Sequence, residues 1–211
     1  MNLSKVMQIL FLCSSLAASA TMNSAAIAAE VPPLKQMKAE AELALTQMAD
    51  YQSPKNGFSL KYPKNWEKAE GQDPLICRFL TDNGLVSYRV SVEKLLADMT
   101  AEEYAKTVNQ ELEKQYPLEG SLLTRVEESA TKLGSVDAHK SIYKLKLDAE
   151  GASAKMLQYL VVANHRAYAF NYTAIEGAYD AFMPVITEVL NSFAFSPVTT
   201  DSGTEPKVEA H

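Results

Sequence analysis

Between residues 57 and 174 the chain alternates apolar and polar side chains with a period of two, the pattern of half-buried strands. Gly57-Phe58-Ser59-Leu60-Lys61-Tyr62 predicts a first strand with Phe58, Leu60 and Tyr62 on one face, stopped by Pro63, and Trp66 is expected to tuck under the sheet. Leu75 to Thr81 and Leu85 to Val92 flank Asp82-Asn83-Gly84, a hairpin signal. In the second arm Val86, Tyr88, Val90 and Val92 share one face, and Ser87, Arg89 and Ser91 the other. Four more strands are predicted, at Leu122 to Thr131, Val136 to Leu147, Ala154 to Ala163 and Arg166 to Ala174. Turn signals at Gly134, Glu150-Gly151 and Asn164-His165 separate them. Met156 to Ala163 is apolar on both faces and is expected to be a central strand covered on both sides.

Three segments change the period to 3.6. Leu34 to Ala49 is built from good helix formers, with Leu34, Met37, Ala41, Leu45 and Met48 as its apolar stripe; it is either a docked helix or a spacer. Thr100-Ala101-Glu102-Glu103 is a capping box opening a helix to about Gln115, with Tyr104, Val108, Leu112 and Tyr116 on one face. The last helix is predicted over Tyr179 to Phe193, and Pro184 is expected in or near its first turn, where its missing N–H costs nothing. About seven strands, mostly joined by hairpins, with one helix between them and one after, make an α+β layout: an antiparallel sheet covered by helices.

The N-terminus does not follow this pattern. Lys5 precedes an apolar run from Val6 that is too short to span a bilayer, and small residues follow, with A-x-A-like sites at Ala18-Ser19-Ala20 and Ala26-Ile27-Ala28. Residues 1–28 read as an export signal cleaved near Ala28. The expected organisation is then a helix or linker over 29–50, an α+β domain over 51–196 and a flexible polar tail over 197–211. Cys13 does not make a lipoprotein anchor, since Leu12 before it is large where a small residue is needed. Cleavage removes Cys13 and leaves Cys77 alone, so no intrachain disulfide can form; strand alternation places Cys77 with Leu75 and Phe79 as a small buried hydrophobe. No later apolar stretch has membrane-spanning length, so a protein free of the membrane, in the periplasm or outside the cell, is expected.

Charge narrows the partners. Across 211 residues, 20 Lys+Arg stand against 26 Asp+Glu, a net charge of −6, and this argues against a nucleic-acid footprint. Candidate chemistry is sparse. Of the three histidines, His211 ends the tail, His165 falls in a turn, and His139 shares a strand face with Asp137, which makes that pair the one weak candidate for a metal or acid–base centre. No nucleophile elbow, zinc-ligand, P-loop or dinucleotide motif occurs, so no cofactor is expected and an enzyme is the minority reading. Lys140, Lys144 and Lys146 lie along one face with Ile142 among them, either a docking stripe for an acidic partner or the charge that keeps an edge strand from aggregating. Tyr159, Tyr168, Phe170 and Tyr172 could line a pocket between sheet and helix, although their alternation is also that of an ordinary core.

Two segments carry a family likeness. GFSLKYPKNWEKAEG, Gly57 to Gly71, resembles the opening of the PsbP-like domain; Arg166-Ala167-Tyr168-Ala169-Phe170-Asn171-Tyr172, then Tyr179-Asp180 and Asn191-Ser192-Phe193, resembles its last strand and helix. The likeness covers roughly Tyr51 to Ser196, and its motifs are structural. The family includes extrinsic proteins of photosystem II, DcrB-type envelope proteins and a eukaryotic Ran-binding protein. The resemblance implies an α/β/α sandwich used for binding, and it transfers no functional residue. The absence of a lipobox disfavours the lipid-anchored photosystem branch. The expectation is therefore an exported, non-catalytic accessory protein that contacts a protein partner in the envelope. A carrier of small molecules or lipids and a metal-dependent enzyme are the alternatives.

Overall fold

A computed structural model describes residues 31–115, 123–147 and 153–197. The predicted export signal with Cys13, the predicted turn at Glu150-Gly151, Tyr116, Leu122, His211 and all of the predicted tail but Pro197 lie outside the described residues. In chain order the elements are α1 (Leu34–Thr46), β1 (Met48–Ser53), β2 (Phe58–Pro63), β3 (Glu67–Glu70), β4 (Leu75–Leu80), β5 (Val86–Lys94), α2 (Ala101–Gln115), β6 (Leu123–Leu133), β7 (Val136–Lys146), β8 (Ser153–Ala163), β9 (Arg166–Ile175), α3 (Glu176–Asn191) and β10 (Ala194–Phe195). A seven-stranded sheet in the order β3-β4-β5-β9-β8-β7-β6 is antiparallel at every pairing. This is the α+β class that the alternation predicts.

The turns explain the hairpins. Asn83 Oδ1 accepts from the Thr81 hydroxyl at 2.7 Å and the Leu85 N–H at 3.1 Å, while Gly84 takes φ +67°, so Asp82-Asn83-Gly84 reverses the chain into β5. Asn164 and His165 both adopt positive φ, the geometry of the two-residue turn whose twist matches paired strands, and they join β8 to β9. β8 lies between β7 and β9 with helices on both faces, the central position expected of it.

The two faces of this sheet have different covers. Helix α3 packs Phe182, Val185, Ile186 and Val189 on Cys77, Phe79, Tyr88, Val90, Phe170 and Tyr172, with Trp66 against Phe182 at 6.1 Å between rings. Helix α2 brings Tyr104, Ala105, Val108 and Leu112 onto Tyr143, Met156, Leu160 and Ala169 on the other face. Its capping box forms as expected: the Thr100 N–H donates to Glu103 Oε2 at 2.7 Å, and the Glu103 N–H donates to Thr100 Oγ1 at 3.1 Å.

Several expectations need correction. The helix predicted to Ala49 ends at Thr46, and Met48 to Ser53 instead pairs with β2. That helix is docked: Met37, Ala41 and Ala44 join the core beside α3, whereas Leu34 and Leu45 of the predicted stripe are exposed. The strand predicted at Gly57 does not enter the main sheet; β2 pairs with β1 and β10 in a small three-stranded sheet. Gly57 caps the short 3-10 turn Pro54–Asn56 at φ +71°. The last helix starts at Glu176, three residues early, so Pro184 sits in its interior. Both Pro184 and Asp180, whose carbonyl loses its donor, are on the exposed side, where water can replace the missing backbone bond.

Candidate functional site

Strand β7 carries both the candidate metal pair and the lysine stripe, and its alternation divides them between the two faces. Asp137, His139, Ser141 and Tyr143 point to the α2 side; Ala138, Lys140, Ile142 and Lys144 point to the α3 side.

His139 and Asp137 share a face but take different surroundings. Asp137 is exposed in the β6–β7 hairpin and pairs with Lys132 at 2.8 Å. His139 is buried, its Nε2 lies 4.0 Å from Glu128 Oε2, and neither ring nitrogen has a hydrogen-bond partner among the described residues. Glu128 is itself held by Arg125 at 2.9 Å. Among the described residues no three or more His, Cys, Asp or Glu side chains gather to hold a metal. His165 is exposed in its turn and lies 2.8 Å from Asp98.

The lysine stripe is brought together as expected, at the outer strands beyond α3, and most of its charge is answered locally. Lys140 pairs with Glu127 at 2.7 Å and Lys144 with Glu176 at 3.4 Å. Glu176 also accepts from the Ser153 hydroxyl, and these two contacts, the Ser153 hydrogen bond first, hold its carboxyl below the usual range. Lys155 stands directly opposite Lys144 on β8, and its ammonium lies 5.4 Å from the Tyr179 ring centroid. Lys146 is exposed at the strand end. Lys146 and Lys155 therefore supply the positive excess of this patch.

The four aromatics suggested for a pocket are packed. Tyr159 is partly buried against the same core; Tyr168 meets Phe58, Phe193 and Phe195; Phe170 meets Phe193 at 4.7 Å; Tyr172 stacks on Tyr179 at 5.1 Å. The Tyr168 and Tyr172 hydroxyls donate to the Asn56 and Tyr179 carbonyls. These side chains fill the space between sheet and α3.

Cys77 is buried on the α3 side with its thiol against the Tyr51 hydroxyl, which donates to Glu70 at 3.1 Å. Burial pushes the thiol up to about 12, so at neutral pH it is a protonated core residue, as its strand position predicts.

The structure adds a feature that one strand at a time does not reveal. Arg78, Arg89, Asn171, Gln158, Ser141 and Glu128 stand directly opposite one another across β4, β5, β9, β8, β7 and β6, forming a polar row on the α2 face. Gln158 Nε2 donates to Asn171 Oδ1 at 2.9 Å. Ser87, Ser91 and Ser141 hydroxyls and Gln158 Oε1 are buried beside it with no hydrogen-bond partner among the described residues. Each such group costs about 1–3 kcal/mol if left dry, a concentration of cost that marks this face as different from the other. The sequence signal is Gln158, a lone amide in an otherwise apolar central strand.

The sequence profile described as PsbP matches residues 46–195. Among solved structures, the PsbP of the cyanobacterium Synechocystis sp. PCC 6803 (CyanoP) is similar at 13% identity and TM-score 0.55, over 71% of this chain and 92% of that one. LpqN, described as involved in cell envelope biogenesis of Mycobacterium tuberculosis, is similar at 16% identity and TM-score 0.54, over 72% and 91%. The Saccharomyces cerevisiae Ran-binding protein Mog1p aligns at 9% identity and TM-score 0.51, over 72% and 96%. At these identities the likeness is one of fold. No curated protein matches the chain by sequence.

Proposed function

We propose, from the fact that this chain belongs to the PsbP family, that it is an exported, non-catalytic accessory protein that works by binding a protein partner in the cell envelope. Family membership over residues 46–195 is the observation that carries the reading. Of the solved proteins that share the fold, one is described as Ran-binding and another as involved in envelope biogenesis, which favours binding over chemistry. Export is supported by Lys5, the apolar run and the A-x-A-like site ending at Ala28. No helix among the described residues is long and apolar enough to cross a membrane. The domain begins, on this reading, with α1 already part of the body, since its apolar face is packed on α3.

The docking face is the outer end of β7 and β8, where Lys146 and Lys155 extend the stripe begun by Lys140 and Lys144 on an otherwise acidic protein. Exposed charges of this kind contribute mainly to encounter rate and orientation, so binding should weaken as salt rises. Cross-linked capture of the protein from its native envelope tests this: the same partner should be recovered repeatedly, in a salt-sensitive manner, and lost with Lys144→Glu. Recovery indifferent to salt and to Lys144→Glu would remove the face. An intact Met1 in the mass of the isolated protein would remove export.

A further inference from the structure

The two edges of the seven-stranded sheet are defended unequally. β3 is four residues long and three of the four are charged, so it offers little backbone to another strand. β6 is eleven residues long, contains no proline and is exposed along almost its whole length. Its outer row of backbone N–H and C=O groups has no strand beside it among the described residues. Helix α2 lies mainly over β7 and β8, and α3 over β9, β8 and β5, so neither stands in the way of a strand approaching β6. The bulge between Arg125 and Glu127 turns the first part of β6 out of line. Beyond it the ladder with β7 is regular over 127–133, and the middle of that stretch, Ser129-Ala130-Thr131, is small and uncharged on both faces.

The charges that flank this stretch are opposite in sign and equally spaced. Glu128 and Lys132 each lie two residues from Ala130 and share its face of the strand, where Glu128 stands opposite Ser141 and Lys132 opposite Asp137. Set against a second β6 running antiparallel about a twofold axis at Ala130, Glu128 of each copy faces Lys132 of the other, and Ser129 faces Thr131. The signs then alternate across the joint, because Lys132 keeps Asp137 on its inner side and Glu128 keeps Arg125. Moving the axis one residue either way puts Ala130 opposite Glu128 or Lys132 and loses both pairs. Moving it to Glu128 sets that carboxylate against itself. The flanking charges therefore discourage other strands and favour one register with a second copy.

We propose that β6 is a self-association edge: two copies of this chain pair antiparallel over 127–133, about an axis at Ala130, and join their seven-stranded sheets into one. The axis is perpendicular to the sheet, so the lysine stripes of the two copies come to lie on the same side. The joint is one strand wide, well short of the area of a permanent dimer, so the association is weak and reversible. Sedimentation equilibrium of the protein from about 1 μM to about 1 mM tests it, and a monomer–dimer equilibrium is expected in that range. Lys132→Glu sets carboxylates face to face at both pairs and should weaken dimerisation about tenfold; Glu128→Lys should do the same with two ammonium groups. An equimolar mixture of these two variants should regain the affinity of the unaltered protein, because every facing pair is again of opposite sign. A monomer at the highest concentration, a dimer indifferent to Lys132→Glu, or a mixture no better than either variant alone overturns the proposal. If Glu128→Lys does not fold, amide exchange in the unaltered protein serves. Amides over 128–132 should exchange more slowly at high protein concentration than at low, and equal rates count against the edge.

Discussion

The two faces of the seven-stranded sheet solve the same problem in opposite ways. Under α3 the contacts are apolar on both sides: Tyr88, Val90, Phe170 and Tyr172 meet Phe182, Val185, Ile186 and Val189. The Tyr51, Tyr168 and Tyr172 hydroxyls there reach a carboxylate or a backbone carbonyl; the fully buried Tyr88 hydroxyl has no hydrogen-bond partner among the described residues, and burial drives its pKa well up. Under α2 apolar contacts alternate with Ser87, Ser91, Ser141, Gln158 and His139, each with a buried polar atom that lacks a partner among the described residues. Burial of apolar area drives folding, and burial of unpaired polar atoms opposes it. The α3 side is therefore the foundation of the fold, and the α2 side is where stability has been given up. Sites that bind are drawn from such regions.

Truncation of one aliphatic residue on each side should show the largest difference. Helix α3 is enclosed by the sheet on one side and α1 on another, so a cavity beneath it cannot collapse. Ile186→Ala should cost ~4 kcal/mol, near the top of the range for such deletions. Leu112 is also buried, but α2 has an exposed outer side and can settle inward; Leu112→Ala should cost ~2 kcal/mol. Urea denaturation measures both, and equal losses would break the distinction between the faces.

The helix start gives the next effect. The Thr100–Glu103 box holds α2, whereas α3 begins at Ile175 without a side-chain cap. Thr100→Ala should cost ~1 kcal/mol and speed amide exchange in α2 while leaving α3 unchanged. A uniform rise across both helices would mean that they open as one unit.

The foundation is the more legible part. Alternation in β4, β5, β7, β8 and β9 puts Tyr88, Val90, Phe170 and Tyr172 on one face from the residue order alone, because each strand's period of two is a local property. The capping box and the Asn83-Gly84 turn are equally local. What escapes such a reading depends on distant pairing. Met48 to Ser53 follows a run of helix formers and becomes a strand only because β2 lies beside it. Glu67-Lys68-Ala69-Glu70 has no apolar alternation, as suits an edge strand with water on both faces. The polar row is hidden for the same reason: Arg89, Ser141, Gln158 and Asn171 are far apart in sequence, and only register puts them in line. Pro184 misleads because the rule about backbone donors depends on which side of the helix meets water, and that side is fixed by packing.

Acidity should loosen the start of α2. The backbone and side-chain hydrogen bonds from Thr100 hold the exposed Glu103 carboxyl below its usual range. A carboxylate with a depressed folded pKa stabilises the fold above its unfolded pKa, and that contribution is lost as pH falls through the lower, folded value. Amide protection in the first turn of α2 should therefore fall as pH drops below the ordinary glutamate range, and Glu103→Gln should remove the part of this dependence that Glu103 carries. A pH response undiminished in Glu103→Gln would place its source elsewhere.

The smallest effect is also the most discriminating. Ser141 is 1% exposed at the centre of the polar row, and its hydroxyl has no partner among the described residues. Replacement by Ala removes one oxygen and no large volume, and it abolishes a desolvation cost that nothing among the described residues offsets. Ser141→Ala should therefore change stability by less than about 0.5 kcal/mol, or raise it, where a buried hydroxyl with a partner would lose about 1 kcal/mol. A loss above about 1 kcal/mol would mean that the row is a satisfied polar network, and its hydroxyls would then be structural members of the α2 interface.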